Sequence, residues 1–166
     1  MIKHLWRYLK GTIDYGISLG GNSKRIIAFS DSDLAGDLNC KTTAGWCIFF
    51  YNGPIIWKYE LQMCIIDNTS EAEFIAASLA SKDVRFVANI LEELGIEIEQ
   101  MKLKCDNQFA VRQMVSPSLS PRLGHIKIKL LMLRDLTADQ ILTVEWVKSD
   151  DKIADVLTKL LPKELH

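Results

Sequence analysis

Hydrophobic and polar residues alternate along the chain in a way that predicts short strands interspersed with helices. The first ten residues carry an apolar stripe at helical spacing, and Gly11 ends it, which predicts a short amphipathic helix. After a break at Gly20 and Gly21, the segment RIIAFSDSD predicts a buried strand that ends in acidic residues. The stripe of the first helix consists of Ile2, Leu5, Trp6 and Leu9.

A hairpin is predicted next. Residues 44–51 and 55–59 are rich in aromatic and β-branched side chains, and they flank Asn52-Gly53, a strong two-residue turn signal. Pro54 lacks a backbone N–H and therefore suits an edge strand.

The longest predicted helix runs from Ser70 to Leu94 and stops at Gly95. Its apolar face is formed by Ala72, Ala76, Leu79, Val87, Ile90 and Leu94. The rest of the chain predicts a strand at 96–105, a short helix at 106–114, a loop at 116–121, a helix at 123–136, a strand at 141–147 and a helix at 151–160 capped by Asp150 or Asp151.

This order of elements predicts one α/β domain. Strands that alternate with helices pair in parallel, whereas a hairpin pairs antiparallel, so a mixed five-stranded sheet flanked by helices is expected. The length of 166 residues with 48% hydrophobic residues is typical of a single domain with a sizeable core.

Composition narrows the possible partners and compartments. The 20 Lys and Arg residues against 21 Asp and Glu give a net charge of -1, so no overall positive field attracts a polyanion. The four cysteines, at 40, 47, 64 and 105, form no C-x-x-C pair, which argues against a zinc knuckle and favours a reducing, intracellular setting. No apolar segment suggests a membrane span or a signal peptide, so a soluble intracellular protein without a membrane partner is expected.

Two predicted strands end in the same way, with Asp31 and Asp106 just past the last strand residue. Ligands bind at the carboxyl ends of parallel strands, so these two acids are candidates for a shared site. The alternative is that Asp106 only caps the helix that follows and that Asp31 or Asp33 only stabilises a turn.

The long helix carries two early glutamates with different helical phase. Glu71 shares the solvated face with Ser78, Lys82, Arg85 and Asn89, whereas Glu73 lies in line with Ala80, Val84 and Leu91 and should face the sheet. A buried carboxylate is costly unless something pairs with it. The alternative is a capping box, in which Glu73 binds the backbone amide of Ser70.

Asp155 is a weaker candidate. On the last helix Ile153, Val156, Leu157 and Leu160 form the predicted buried face, and Asp155 points away from its centre. Taken alone, the residues of this helix favour a solvated Asp155 that pairs with Lys159 four positions later. His125 and Cys105 likewise suggest structural roles.

Seven sequence blocks, taken in order, resemble the ribonuclease H domain of copia-type LTR retrotransposon Pol polyproteins. They are RYLKGTIDYG, FSDSDLAGD, KTTAGW, NGPIIWK, TSEAEFIAAS, CDNQFA and ADVLTK. The resemblance implies a ribonuclease H-like fold and a metal-binding set of Asp31, Glu73, Asp106 and Asp155. It also implies that residues 1–22 are the tail of a preceding reverse transcriptase region and that residues 23–166 form the ribonuclease H domain.

The sequence departs from this family at three positions. The family usually has an aromatic residue where Leu34 stands, a small residue where Asn68 stands and an acid where Lys127 stands. None of these is a proposed metal ligand. The histidine-bearing loop of cellular ribonucleases H has no counterpart in VKSDDKIAD, and His125 lies too early in the chain to replace it.

The implied activity is hydrolysis of the RNA strand of RNA/DNA hybrids during reverse transcription. Two Mg²⁺ ions, with Mn²⁺ as a substitute, would activate water and stabilise the leaving oxygen, and hard cations require oxygen ligands. In this scheme Asp31 bridges both ions, Glu73 and Asp106 complete one shell, and Asp155 holds the other. Candidate contacts to the 2′-hydroxyls of the hybrid are Ser32, Asn107 and Gln108.

The expected partners are the hybrid and the reverse transcriptase region of the same polyprotein, in cytoplasmic virus-like particles or the nucleus. Because the net charge is near zero, the isolated domain is expected to bind the hybrid weakly. An integrase-like core is disfavoured because the acids run Asp, Glu, Asp, Asp along the chain. An inactive, domesticated copy that serves as a structural or binding module is the alternative.

Overall fold

The computed structural model describes residues 2–34, 41–62, 66, 68–116, 127–148 and 153–159. Helices and strands follow the predicted order, with ten elements in these residues. They are α1 (Ile2–Gly11), β1 (Arg25–Asp33), β2 (Thr43–Phe50), β3 (Gly53–Leu61), α2 (Thr69–Glu93), β4 (Gln100–Cys105), α3 (Gln108–Val115), α4 (Lys127–Ala138), β5 (Thr143–Trp146) and α5 (Asp155–Thr158).

The strands form one five-stranded sheet in the order β3-β2-β1-β4-β5. β2 pairs antiparallel with both β1 and β3, whereas β4 pairs parallel with both β1 and β5, so the predicted mixed sheet is confirmed. The parallel ladder of β1 with β4 ends at the pair Phe29 and Lys104, but β1 continues along β2 to Asp33. Asp31 therefore lies inside β1, opposite Gly45, and not past its end as predicted.

The hairpin turn lies one residue earlier than predicted. Tyr51 and Asn52 have φ values of 49° and 61°, while Gly53 is already the first residue of β3 and pairs with Phe50. Two consecutive positive φ values are the mark of a type I′ turn, the geometry that matches the twist of a hairpin. In the resulting register Phe50 pairs with Gly53, and the pairing of β2 with β3 shifts between Ile48 and Phe49. Pro54 lies on β3, at the sheet edge, as predicted.

The main core lies between the sheet and α2. It is formed by alternate residues of β1 and β2 and by small residues of the helix, including Ile26, Ala28, Trp46, Ile48, Ala76, Ala77, Ala80 and Val84. A smaller cluster of Phe29, Cys47 and Ala154 lies on the opposite face, where Leu157 packs against it. The sheet thus separates α2 from α5.

The buried face of α2 differs from the predicted face. Ile90 and Leu94 are exposed, whereas Ser78, assigned to the solvated face, is buried. The helix presents its alanines to the sheet, because these small residues allow the closest approach of backbone to backbone. This rotation puts Glu73 among the buried residues, in line with Ala80 and Val84 as predicted.

The two ends of the described chain differ in packing. α1 has no buried residue, and its apolar side chains are exposed. α5 is shorter than predicted and begins after Ala154, which makes no side-chain cap, and Ile153 is exposed instead of buried. Among the described helices, none is long and apolar enough to span a membrane.

Several predictions concern residues outside the described ranges. These are the loop at 117–121, the proposed caps Asp150 and Asp151, and the residues His125, Cys40, Cys64 and Leu160. The division into residues 1–22 and 23–166 stays a prediction.

Candidate metal centre

Asp31 lies on β1 with no solvent exposure. Side chains alternate along a strand, so Asp31 shares the sheet face of Phe29, the face that α5 covers. The hydroxyl of Thr158 donates a hydrogen bond to Asp31 Oδ2, and Lys159 Nζ lies 3.5 Å from Asp31 Oδ1. Both oxygens of this carboxylate therefore contact the last described turn of the chain, which makes the turn after Val156 part of the site.

α5 reaches Asp31 because residue 45 is a glycine. A Cβ at Gly45 would lie 2.7 Å from Thr158 Cγ2 and 2.9 Å from Leu157 Cβ, which is closer than side chains tolerate. Gly45 is also the β2 residue that pairs with Asp31. The missing side chain therefore provides the space in which α5 lies directly on the sheet beside the acid.

Glu73 enters the site from α2, and its side chain is almost completely buried. Its Oε1 accepts hydrogen bonds from the amide and the hydroxyl of Ser32, at 3.2 and 2.9 Å. Its Oε2 accepts one from the Cys105 thiol at 3.3 Å. These donors compensate part of the cost of burying a carboxylate.

The predicted capping box at the start of α2 is wrong. The N-cap is Asn68, whose side chain accepts a hydrogen bond from the Glu71 amide at 2.9 Å. Ser70 lies inside the first turn, so the cap position assigned to it is occupied by Asn68. Glu73 is therefore directed toward the sheet and not toward the end of its own helix.

Asp106 follows the last residue of β4. The cap of α3 is its neighbour Asn107, whose side chain accepts from the Ala110 amide at 2.9 Å. The alternative that Asp106 merely caps this helix is therefore wrong. Trp146 Nε1 donates to the backbone oxygen of Asp106 at 2.9 Å, which fixes the chain at this point.

Asp155 lies in the first turn of α5. The predicted ion pair with Lys159 is present, with Nζ at 3.0 Å from Asp155 Oδ2. The carboxylate is not solvated as expected, since its side chain is only 14% exposed. The ion pair lies beside Asp31, with the Asp155 carboxylate largely buried and the Lys159 side chain partly exposed.

The four acids form two overlapping groups. Asp31, Asp106 and Asp155 each offer an oxygen within 4.8 Å of the others, and Glu73, Cys105 and Asp106 form a second group by the same measure. Asp106 belongs to both. Carboxylate oxygens at such spacing are the ligands that Mg²⁺ and Mn²⁺ prefer, so the residues present fit a hard divalent cation.

The three predicted substrate contacts have different surroundings. Ser32 is bonded to Glu73, Asn107 caps α3, and Gln108 is exposed in the first turn of α3 beside Asp106. Sequence reasoning missed the roles of Thr158 and Gly45 and the contact of Lys159 with Asp31, and it assigned Cys105 to structure alone. The spacing of Thr158 and Lys159, three and four residues after Asp155, is the one local signal for them.

The fold is similar to that of solved ribonucleases H. A ribonuclease H1 from the archaeon Halobacterium salinarum superposes with a TM-score of 0.58 at 17% identity, over 80% of this chain and 93% of that one. LC11 ribonuclease H1, solved in complex with an RNA/DNA hybrid, gives a TM-score of 0.60 at 18% identity, over 80% of this chain and 92% of that one. The chain has a ribonuclease H fold.

The sequence has relatives among plant transposons. It is 32% identical over 163 residues to the retrovirus-related Pol polyprotein of transposon TNT 1-94 from Nicotiana tabacum, covering 98% of this chain and 12% of the polyprotein. The Pol polyprotein of transposon RE2 from Arabidopsis thaliana is also 32% identical, over 98% of this chain and 11% of its own length. No family model matches. The chain is homologous to a segment of these retrotransposon Pol polyproteins, of which it spans about an eighth.

Proposed function

We propose that this chain is the ribonuclease H domain of a copia-type retrotransposon and that it cuts the RNA strand of RNA/DNA hybrids with the help of divalent metal ions. The observation that carries the proposal is the convergence on Asp106 of acids from three other elements, with ligand atoms within 4.8 Å inside each group. Structural ion pairs do not require four carboxylates to share one corner of a sheet. Four mutually repelling groups are instead the usual sign of a cation site.

Asp31, Asp106 and Asp155 would hold one cation, and Glu73 together with Asp106 would hold a second. The bound ions would activate water and neutralise charge on the scissile phosphate. The grouping favours Asp106 as the shared ligand, whereas the hypothesis drawn from the sequence gives that position to Asp31. Around these acids, Ser32 and Cys105 orient Glu73, and Thr158 orients Asp31.

The proposed substrate, an RNA/DNA hybrid, is inferred from proteins of the same fold and from the polar residues Ser32, Asn107 and Gln108 near the acids. LC11 ribonuclease H1, which shares the fold, was solved with an RNA/DNA hybrid bound, and the same class of ligand is proposed here. Discrimination of RNA from DNA would use contacts to 2′-hydroxyls, with little preference among bases. Gln108 is the most accessible of the three candidates, since Ser32 and Asn107 already bond within the protein.

The reverse transcriptase region of the same polyprotein is the proposed protein partner. The relatives are full Pol polyproteins, and α1 carries an apolar face with no buried residue. We propose that α1 packs on that upstream region, which would supply most of the grip on the hybrid in a cytoplasmic particle. The isolated chain, with a net charge of -1, should bind the hybrid weakly.

A hybrid-cleavage assay tests the proposal. Wild type, Asp106→Asn and the control Asp139→Asn, which alters an exposed acid after α4, are compared in Mg²⁺ and in EDTA. Wild type and control should cleave the RNA strand in Mg²⁺ and not in EDTA. The cleavage rate of Asp106→Asn in Mg²⁺ should be at least about a hundredfold lower. Equal and negligible activity in all three would contradict the proposal and favour a binding module.

Metal binding is tested without catalysis by thermal unfolding. Mg²⁺ or Mn²⁺ should raise the melting temperature of wild type and of Asp139→Asn, because a ligand that binds only the folded state stabilises it. Asp106→Asn should show little shift. A melting temperature that stays constant in wild type across millimolar metal would argue against the site.

A further inference from the structure

The amino group of Lys159 contacts two of the four acids. Lys159 Nζ is 3.0 Å from Asp155 Oδ2 and 3.5 Å from Asp31 Oδ1. These two carboxylates and Asp106 form the group whose oxygens lie within 4.8 Å of one another. The ammonium therefore contacts two of the three residues that the proposed function assigns to one cation.

A divalent ion and this ammonium compete for the same carboxylates. The oxygen of Asp155 nearest the ammonium is Oδ2, and that of Asp31 is Oδ1. An ion bound between these carboxylates would lie close to the amino group, and two cations at that separation repel strongly. Both cannot hold the pair at once, so binding of one requires the other to move.

Lys159 is placed where its amino group can move away from Asp31 and Asp155. It is the first residue after α5, and its side chain is 38% exposed, whereas Asp31 is 1% exposed. The amino group can therefore swing to water on its flexible stem without unfolding the helix, while the buried acid stays in place. Asp31 and Asp155 are anchored in β1 and α5, whereas the amino group of Lys159 lies at the end of a flexible side chain.

We propose that Lys159 is the counter-ion of the metal-free centre, holding Asp31 and Asp155 together until a divalent ion displaces it. The inference rests on the proposed function, because it requires metal binding at these acids. Lys159 would stabilise the fold when metal is scarce and would raise the metal concentration that the site needs. Lys159 is in this sense a positioning residue for the acids.

The experiment compares four proteins by calorimetric titration with Mg²⁺ or Mn²⁺ and by thermal unfolding in EDTA. They are wild type, Lys159→Met, Lys159→Arg and Lys104→Met. Lys104 is a matched control because its amino group lies 5.5 Å from the centre of the Phe29 ring, on the same sheet face. Its removal changes the net charge equally without vacating Asp31 or Asp155.

Lys159→Met should bind metal roughly fivefold to tenfold more tightly than wild type, since a partly exposed competing ion pair is lost. In EDTA its melting temperature should fall by about 3 °C, and saturating metal should remove that deficit. Lys159→Arg and Lys104→Met should stay within about twofold of the wild-type metal affinity.

Unchanged or weaker metal affinity in Lys159→Met, with wild type still binding, would overturn the inference and leave the proposed function intact. An equal gain in Lys104→Met would also overturn it, because the effect would then be one of overall charge and not of displacement. Absence of metal binding in wild type and in Lys159→Met would end the proposed function and the inference together.

Discussion

The amide and the hydroxyl of Ser32 donate to the same oxygen of Glu73, at 3.2 and 2.9 Å. A strand residue beside Asp31 thereby fixes the carboxylate that α2 contributes. The second oxygen of Glu73 accepts from Cys105, the residue before Asp106. Ser32 and Cys105, which adjoin Asp31 and Asp106 in sequence, therefore both position Glu73 of α2.

Ser32→Ala removes one of these donors and keeps the other. Hydrogen bonds to charged groups contribute about 1.5–3 kcal/mol, so the metal concentration for half-maximal cleavage should rise several-fold. The fold should persist, because the amide of residue 32 still donates. Metal titration of cleavage measures the effect, with Ser18→Ala at an exposed position as the control. Equal metal requirements in the two variants would show that this bond does not position Glu73.

Gly45→Ala should detach α5 from the sheet. The new methyl group would lie 2.9 Å from Leu157 Cβ, and overpacking of this kind costs about 1–3 kcal/mol. Cleavage and the metal-dependent rise in melting temperature should both fall, while circular dichroism changes little. Gly16→Ala is the control, since nothing lies within 4 Å of a Cβ there. Full activity in Gly45→Ala would mean that the site does not need α5 at this distance.

The start of α2 provides a third test. Asn68→Ala should cost about 1 kcal/mol of stability, because the Glu71 amide loses its acceptor. Ser70→Ala should cost less, since Ser70 is not the cap. Denaturant unfolding compares the two variants. A larger loss in Ser70→Ala would restore the capping box and with it a different orientation for Glu73.

Cys47 gives a pH-dependent prediction. Burial raises the pKa of its thiol from 9.0 to about 12, against a smaller opposing effect of a hydrogen bond with the Phe29 backbone. The folded state therefore keeps its proton more strongly than the unfolded state. The resulting stability is complete below pH 9 and is lost as pH rises toward 12.

The measurement is the difference in free energy of unfolding between wild type and Cys47→Ala, taken at about pH 8 and about pH 10.5, on either side of the ordinary thiol pKa. The wild-type advantage should shrink at the higher pH. In the native protein at the lower pH, Cys47 should resist alkylation by iodoacetamide that proceeds readily in guanidinium. Fast labelling of Cys47 under native conditions would contradict its burial.

The sequence predicted the elements because those signals are local, and the same kind of signal selected three of the acids as candidates. The strand end before Asp106 was placed correctly, whereas Asp31 lies inside β1. Helical phase placed Glu73 on the buried face of α2. Asp155 rested mainly on the family resemblance, since a four-residue helix has too little periodicity to define a buried face. Its place depends on Gly45, which is distant in sequence.

Errors in detail have the same origin. The turn was predicted one residue too late, at Asn52 and Gly53, because the pairing of the whole strands fixes the register and the turn residues alone do not. The partners of Glu73 could not be foreseen, since Ser32 lies 41 positions away. Which of several reasonable bonds a carboxylate makes is decided by packing.

The hydrogen bond between Thr158 and Asp31 joins residues 127 positions apart. During synthesis, β1 to β4 and α2 would be complete well before α5, so these strands could pair while the acid set still lacked Asp155 and while Asp31 still lacked Thr158 and Lys159. Contacts between residues this far apart in sequence form slowly, because a long loop must close first. A chain that ended before α5 would keep all five strands but would lack Asp155 and the two side chains, of Thr158 and Lys159, that contact Asp31.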